Sequence, residues 1–273
     1  MFVLLDKEKG ISSFKAINNF RRENNIKKIG HTGTLDPLAT GLLLVATDDD
    51  TKLIDFIDKG EKTYVATMQL GVISDTYDSE GEIEKVSDVI PTKEEVEKEL
   101  KKFIGVQEQM PPAFSAKKIN GVAAYKLARE GKEVKLKTST IEINTIDVLE
   151  FEKDIVVFEV NVSRGTYIRS IIHDLGQRLG CGAIMTELRR TTIGPLTEEH
   201  FGTNVDIEKL LTLPIVELKK EEIMILINGI AIDNAYGIKG KYVAKVNGVI
   251  CGIIEANERI KSVKLFGKKI EVL

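Results

Sequence analysis

The sequence of 273 residues predicts an α+β protein with a mixed, mainly antiparallel central sheet and flanking helices. Two segments, Lys62 to Leu70 and Ile155 to Val162, alternate apolar and polar residues as half-buried strands do. Other segments have helical spacing, but strands and helices are mixed irregularly along the chain. A doubly wound parallel sheet would need regular strand and helix repetition, so the α+β class is favoured.

Composition indicates an ordinary globular protein, with 42% hydrophobic and 30% charged residues and a length typical of about two domains. The longest apolar run, Leu42 to Ala46, is far below the roughly 20 residues that span a bilayer. The N-terminus MFVLLDKEKG has no signal-peptide pattern. Cys181 and Cys251 are the only cysteines, so neither a disulfide framework nor a zinc site is expected. These features predict a cytoplasmic protein without a membrane partner.

The first elements are a short strand, a helix and a loop. Phe2 to Leu5 reads as the strand, and Ser12 or Ser13 can cap the helix. The apolar residues of that helix recur at helical spacing: Phe14, Ile17 and Phe20. The stretch IGHTGTLDPLATG has too many turn formers for a helix or a strand and is predicted to be a loop throughout.

The next elements are a buried strand and two helices. Leu42 to Ala46 predicts the strand, and Asp49 or Asp50 can cap a short helix that carries Leu53, Ile54 and Ile57. Thr92 and Glu95 form a capping box. The helix that it opens has apolar residues at Val96, Leu100 and Phe103 and is predicted to close at Gly105.

The second half predicts a strand, a tight turn at Arg164 and Gly165, and a helix. One side of that helix is apolar: Ile168, Ile171, Ile172, Leu175 and Leu179. The main domain is expected to span residues 1–214, with a lysine-rich insertion at 110–140. Residues 215–273 are expected to form a small, mainly β domain, from strand-like runs at Tyr242 to Val246, Val249 to Ile254 and Ser262 to Phe266.

Charge is sorted by segment, although the formal net charge is only -3. Residues 1–35 hold seven basic and three acidic side chains, and residues 117–137 hold seven basic and two acidic ones. Residues 48–61 hold six acidic and two basic side chains. Such sorting suits a protein with one polyanion-binding face, and solvated helix faces would produce it equally.

One glycine-punctuated loop, GHTGTLDPLATG, is a candidate for chemistry. Glycines 30, 33 and 41 allow sharp turns, and Pro37 restrains Asp36 towards an extended conformation, so the loop could present that carboxylate into a cleft. Asp-Pro is also a common turn opener, so spacing alone favours a structural turn.

Two other motifs fail on context. Ser115 and Lys118 imitate the serine and lysine pair of penicillin-recognising acylases, but no SDN or KTG partner occurs. Asp75, Asp78 and Gly81 suggest a calcium loop but lack its alternating acids and terminal glutamate.

The loop resembles the signature of the TruB branch of pseudouridine synthases, G-H-x-G-x-L-D-P-x-A-x-G, at every fixed position. Four further blocks resemble the family in order over about 180 residues: DKEKGISS, VISDTYDSEG, PPAFSAKKINGVAAYKLAREG and SRGTYIRSIIHDLGQRLGCGA. Departures are Glu8 for a proline, Ser74 for a threonine and Arg164 for a lysine. Residues after Pro214 match weakly, and their broken strands are similar to a PUA-type RNA-binding module.

The resemblance implies a pseudouridine synthase fold and isomerisation of a uridine of transfer RNA, the T-arm loop uridine at position 55. It implies Asp36 as the nucleophile, attacking either the anomeric carbon of the sugar or carbon 6 of the base. Arg169 would pair with Asp36 and keep it ionised. Tyr64 would stack on the uracil and accept the proton from carbon 5. Neither metal nor cofactor is implied.

The resemblance also implies base flipping, because a stacked base cannot be reached in place. His31 would hold the rearranged RNA loop, and Tyr167 and Leu188 would line the pocket for the flipped uracil. The insertion would contact phosphates through basic residues: Lys117, Lys118, Lys126, Arg129 and Lys132.

The T-arm stem-loop of tRNA is the expected partner, and a monomer without an obligate protein partner is expected. The alternative is a non-catalytic RNA-binding or tRNA-folding protein on the same scaffold. An intact trio of Asp36, Tyr64 and Arg169 argues against that alternative, since a binding protein does not need it.

Overall fold

The computed structural model describes residues 1–58, 60–115, 117–119, 121–132, 134 and 136–273, and the side chain of Lys118 lies outside the described part. The helices are α1 (Ser13–Glu23), α2 (Lys93–Lys101), α3 (Ala124–Arg129), α4 (Ile168–Leu179), α5 (Lys220–Ile227) and α6 (Gly267–Ile270). The strands are β1 (Phe2–Lys7), β2 (Ile29–His31), β3 (Thr40–Thr47), β4 (Lys62–Leu70), β5 (Val72–Ser74), β6 (Ile83–Lys85), β7 (Gly105–Gln109), β8 (Lys118–Ile119), β9 (Val122–Ala123), β10 (Ser139–Glu152), β11 (Ile155–Val162), β12 (Ala183–Ile193), β13 (Ile215–Glu217), β14 (Ile232–Asp233), β15 (Gly240–Val246), β16 (Val249–Ala256) and β17 (Arg259–Leu265).

The main sheet is mixed and mainly antiparallel, as predicted. Its strand order is β1-β3-β12-β4-β11-β10-β7, and β2 pairs with β3. β12 and β3 run parallel, joined at the pairs Arg189 with Thr40 and Arg190 with Gly41, and the other neighbours in the main sheet are antiparallel. β4 and β11 have the predicted bounds, and their alternate side chains are buried.

The largest apolar cluster lies where α2 and α4 meet one face of the main sheet. α4 buries the predicted residues Ile168, Ile171, Ile172 and Leu175 against strands that include β4 and β11. Gly180 ends α4 in the left-handed conformation, at φ 72°. This packing fixes the start of α4 against the sheet.

The predicted first strand and helix are present, and the predicted loop after them is wrong at both ends. Ser12 caps α1, its side chain accepting the Lys15 N–H at 3.1 Å. The segment Ile29–His31 forms β2 instead of loop, and Thr40 already belongs to β3. Hydrogen bonds between β2 and β3 override the local turn preference. A three-residue strand has no periodicity of its own, so the sequence pattern does not reveal it.

Two predicted helix details are also wrong. The segment Asp48–Phe56 is a 3-10 helix with Thr47 as its N-cap, and Asp48 has a left-handed φ of 46°. Gly105 does not close the second helix: α2 carries the predicted capping box but ends at Lys101, and Gly105 begins β7. Gly105 has a φ of 108°, and this left-handed conformation allows the turn into β7.

The C-terminal sheet has the order β13-β15-β16-β17-β14 and packs with α5 and α6. The last predicted run, Ser262 to Phe266, is wrong at both ends, because β17 spans Arg259–Leu265 and Phe266 is buried after it. Phe266 and Ile253 pack in one apolar cluster with Phe2 and Leu4 of the first strand. In the insertion, β8 and β9 pair with each other and α3 follows, outside the main sheet. Within the described ranges, none of the helices is both long and apolar enough to cross a bilayer.

Candidate active site

The loop that carries Asp36 connects β2 to β3 and is held by buried polar side chains on its inner side. The Ser13 hydroxyl donates to the Leu35 carbonyl at 3.0 Å and accepts from the Leu35 N–H at 2.8 Å. The ammonium group of Lys7, a residue that is 1% exposed, donates a hydrogen bond to the Pro37 carbonyl at 3.2 Å. Both neighbours of Asp36 are therefore anchored, and its carboxylate is held in one place.

Arg169 lies between two carboxylates. Its Nη2 is 3.0 Å from Oδ2 of Asp36, and its Nη1 is 3.2 Å from Oδ2 of Asp78. The Arg169 and Asp78 side chains are 5% and 3% exposed, whereas the Asp36 side chain is 36% exposed. The buried pair thus presents an arginine to a more accessible carboxylate, as the predicted pairing of Asp36 with Arg169 requires.

The start of α4 holds Arg169 in this position. The Gln109 side chain accepts from the Tyr167 N–H at 2.8 Å and donates to the Tyr167 carbonyl at 3.0 Å. The guanidinium of Arg169 also donates to the carbonyls of Thr76 and Phe114, each at 3.0 Å. These bonds fix the arginine from three separate segments of the chain.

Burial in the cleft raises the pKa of the Asp36 carboxyl, and the nearby Asp78 carboxylate raises it further. The charge and hydrogen bond of Arg169, with a smaller contribution from Lys7, oppose that rise. The Asp36 carboxylate is therefore more basic than an exposed aspartate, and the neighbouring Arg169 favours its ionised form. Such a group is suited to forming a covalent adduct that can reverse.

A cavity of about 340 Å³ opens at Asp36 and Arg169. Tyr64, Tyr167 and Leu188 line it, together with Lys117. Burial raises the pKa of the Tyr167 phenol, and the Ser115 hydroxyl opposes that rise. Aromatic and apolar walls around a carboxylate and an arginine can accept one planar heterocycle. The structure thus brings together five residues that the sequence associates with the reaction: Asp36, Arg169, Tyr64, Tyr167 and Leu188.

His31 lines an adjoining cleft of about 750 Å³, which shares Asp36 and Arg169 with the smaller cavity. That cleft is also lined by Phe14, which is 72% exposed, and by Tyr125 and Arg129 from the insertion. Asp36 and Arg169 line both spaces, so His31 faces a neighbouring region and not the smaller cavity.

The basic residues of the insertion take different positions. Lys117 lines the smaller cavity, and its ammonium donates to the Ser139 hydroxyl. Lys126 and Arg129 are exposed, and Lys132 forms an ion pair with Glu130 at 2.7 Å. The side chain of Lys118 lies outside the described residues.

Sequence reasoning missed Asp78 and Lys7 as site residues. Asp78 stands in the VISDTYDSEG block that carries part of the resemblance, where its spacing suggests only a calcium ligand. Lys7 stands in the DKEKGISS block. Sequence patterns predict burial from the spacing of apolar residues, and they give no sign that a charged residue is buried. The contacts of Asp78 with Arg169 and of Lys7 with Pro37 are therefore not predictable from the pattern alone.

Solved structures share this fold. A chain from a Cbf5-Nop10-Gar1 complex matches with a TM-score of 0.65 and 27% identity, over 99% of this chain and 80% of that one. A chain from an H/ACA RNP bound to a substrate RNA containing 2'-deoxyuridine matches with a TM-score of 0.65 and 24% identity, over 97% and 84%. These matches show that the chain has the fold of the pseudouridine synthase class.

The sequence comparisons narrow that class. The model of the TruB family pseudouridylate synthase N-terminal domain matches residues 21–168, and that of the tRNA pseudouridylate synthase B C-terminal domain matches residues 169–226. The tRNA pseudouridine synthase B of Mycoplasmopsis pulmonis is 45% identical, over 99% of this chain and 96% of that protein. The enzyme of the same name from Mycoplasma mobile is 47% identical over the same shares. The chain belongs to the TruB family of pseudouridine synthases.

Proposed function

We propose that this protein converts uridine 55 in the T-arm loop of tRNA to pseudouridine in the cytoplasm, with Asp36 as the nucleophile. The observation that carries the proposal is the Asp36 carboxylate, 3.0 Å from Arg169, at the cavity lined by Tyr64, Tyr167 and Leu188. Relatives named tRNA pseudouridine synthase B support tRNA as the substrate.

In the proposed reaction the flipped uracil enters the smaller cavity and stacks on Tyr64. Asp36 attacks the anomeric carbon of the ribose or carbon 6 of the base, the bond between the anomeric carbon and N1 breaks, and the base turns. Carbon 5 then bonds to the anomeric carbon, the bond to Asp36 breaks and frees the carboxylate, and N1 gains a proton as carbon 5 loses one. Tyr64 accepts the proton that leaves carbon 5. Arg169 holds the Asp36 carboxylate ionised and aimed before the attack. His31 contacts the RNA loop from the larger cleft while the base is extruded.

Release of tritium from tRNA labelled at carbon 5 of uridine tests the reaction, because that hydrogen leaves only when the new bond forms there. We expect release by the purified chain alone, since no protein partner is proposed, and loss of release in Asp36→Asn. Asp147, an exposed aspartate on β10, supplies the matched control Asp147→Asn, which should release tritium at the wild-type rate.

The position is tested with the same tRNA carrying cytidine in place of uridine 55. Release should stop if position 55 is the target and should continue if another uridine is modified. Equal binding of tRNA by wild type and Asp36→Asn without any release from either would instead support the RNA-binding alternative.

The proposed phosphate-binding role of the insertion is tested by salt dependence. Charge removal at Lys126 or Arg129 should weaken tRNA binding and lower the slope of log affinity against log salt by about 1 for each phosphate that the side chain neutralises. An unchanged slope would remove these side chains from the proposed RNA interface.

A further inference from the structure

Arg190 on β12 is a fully buried cation directly beneath the loop of Asp36. It is 1% exposed, and its Nε donates to the Leu42 carbonyl at 2.7 Å. Its Nη2 donates to the Gly33 carbonyl at 3.3 Å. Gly33 lies in the first part of the loop and Leu42 follows its end, so one guanidinium holds both ends of the segment that carries Asp36.

This burial is costly. In the part of the chain that the structure describes, no ion pair joins Arg190 to a carboxylate. Removing a guanidinium from water is unfavourable unless its partners compensate, and here those partners are backbone carbonyls. A second buried cation, Lys7, lies close enough that the Arg190 charge helps to lower the pKa of its ammonium. A residue chosen for stability alone would be apolar at such a position.

The backbone of Arg190 also contacts the start of β3, directly after the loop. Arg190 pairs with Gly41 where β12 runs parallel to β3. A Cβ on Gly41 would lie 2.2 Å from the Arg190 carbonyl oxygen, so the backbones of β3 and β12 leave no room for a side chain at position 41. On its other side Arg190 pairs with Tyr64 of β4. One residue therefore connects the loop of Asp36 with the strand of Tyr64.

Together with two contacts described above, Arg190 completes a set of anchors on alternate loop residues. Arg190 holds the carbonyl of Gly33, Ser13 holds Leu35, and Lys7 holds the carbonyl of Pro37. The Asp36 side chain emerges between the last two of these anchors.

We propose that Arg190 is a positioning residue for Asp36: its buried guanidinium holds the loop ends so that the Asp36 carboxylate stays in ion-pair contact with Arg169. The inference rests on the proposed function in one respect, that Asp36 is the nucleophile. A misplacement of about 1 Å in a reacting group can lower the rate roughly 100-fold, so loss of this anchor reduces turnover.

The rival role for Arg190 is direct contact with an RNA phosphate, because the residue lines the smaller cavity. The two roles differ in measurable ways. A phosphate contact supports affinity, whereas a loop anchor supports turnover and the protonation state of Asp36.

The experiment compares Arg190→Met and Arg190→Lys with Arg189→Met. Arg189 is the adjacent residue: its guanidinium pairs with Asp6 and Glu198 at the surface and reaches the Thr40 hydroxyl of β3 at 3.5 Å, with no hydrogen bond to residues 32–39 among those described. Tritium release gives kcat and KM, filter binding gives the tRNA affinity, and hydrogen exchange of residues 32–39 reports the loop without any RNA.

For Arg190→Met we expect a kcat at least about 100-fold below wild type, a tRNA affinity within about threefold, and faster exchange of the loop amides. The acid limb of kcat should move to higher pH, because a loosened Asp36 loses part of the stabilisation that Arg169 gives its ionised form. Arg190→Lys keeps a buried cation but reaches fewer carbonyls, so its kcat should recover partly. Arg189→Met should keep the wild-type kcat, pH profile and exchange.

Three results would overturn the proposal. The first is an Arg190→Lys variant in which both loop exchange and kcat are unchanged. The second is a loss of tRNA affinity without a change of kcat. The third is a fall in kcat that matches the fraction of unfolded protein, with the pH profile unmoved. If Arg190→Met does not fold, the lysine variant alone decides between them. If the wild type fails to isomerise tRNA, the proposed function fails, and loop exchange still tests the anchor.

Discussion

At the scale of single residues, the balance at Asp36 between burial and its arginine sets the pH range in which it is ionised. Burial raises the pKa of this carboxyl, and the protonated form cannot attack. We therefore expect kcat/KM for tritium release to fall with decreasing pH at a higher pH than an exposed aspartate would require. Arg169→Met should move that limb to still higher pH. A limb at the ordinary range of an exposed aspartate, with no movement in the variant, would contradict this role for Asp36.

The same pKa gives a stability prediction. A folded-state pKa raised above the unfolded value means that ionised Asp36 destabilises the fold, and this cost is present above the folded-state pKa and disappears as pH falls below the unfolded value of 3.8. Asp36→Asn should therefore be as stable as wild type or more stable at pH 7 in urea unfolding. A clear loss of stability at pH 7 would show that the carboxylate supports the fold.

The Asp78 carboxylate, unlike that of Asp36, should stabilise the fold. It is 3% exposed in its pair with Arg169, and its Oδ1 also accepts from the Thr76 hydroxyl at 2.6 Å and the Glu80 N–H at 3.0 Å. Removing one partner of a buried pair leaves the other charge uncompensated, so Asp78→Ala should lower the free energy of unfolding by about 3 kcal/mol. Urea unfolding at pH 7 measures it, and Asp75→Ala on the same segment is the control for removal of a more exposed carboxylate.

At the scale of elements, the entry to β3 depends on a glycine that has no room for a side chain. Gly41 has a φ of 97°, and a Cβ there would meet the Arg190 carbonyl oxygen at 2.2 Å. Gly180 ends α4 at a φ of 72° with open space around its Cβ position. Both substitutions by alanine incur backbone strain of about 1 kcal/mol, and Gly41→Ala must also displace β12.

We expect Gly41→Ala to lower the free energy of unfolding by at least about 2 kcal/mol more than Gly180→Ala does, and to reduce tritium release in the molecules that fold. Equal decreases in the two variants would mean that the β3 and β12 contact adjusts without cost, and that the loop tolerates displacement.

The elements also differ in how far local sequence predicts them. β4, β11 and α4 are predictable because their burial follows one period over eight or more residues. β2, β13 and β14 have only two or three residues each, and their existence depends on pairing with distant strands. The 3-10 helix at Asp48–Phe56 begins with three consecutive aspartates, which favour caps and turns over a regular α-helix.

At the scale of the whole molecule, the C-terminal residues help to close the core of the main sheet. Ile253 and Phe266 belong to the apolar cluster of β1 and β3, and Lys269 forms an ion pair with the buried Asp50 at 2.7 Å. The division at residue 214 remains a prediction about independent folding. Because truncation there uncovers apolar surface, a chain ending at Pro214 should melt at a lower temperature than the full chain.

Calorimetry of the full chain and of that shorter chain tests this coupling. We expect one cooperative transition for the full chain. Two separate transitions, with the first domain melting at the same temperature in both chains, would show that the packing of Phe266 contributes nothing to the stability of the main domain.

The α+β class, the main strands and helices, and the family are predictable from sequence alone, because periodic apolar patterns and five ordered motif blocks are local properties of the chain. The family resemblance also predicts site roles for Asp36, Tyr64, Arg169, Tyr167 and Leu188, and the structure brings these five residues to one cavity. The tertiary structure was needed to show that His31 lines the adjoining larger cleft, that Asp78 completes the arginine pair, and that Lys7 and Arg190 are buried next to the loop. Those contacts join residues far apart in the chain, and the cost of burying a charge is met by partners that no local pattern reveals.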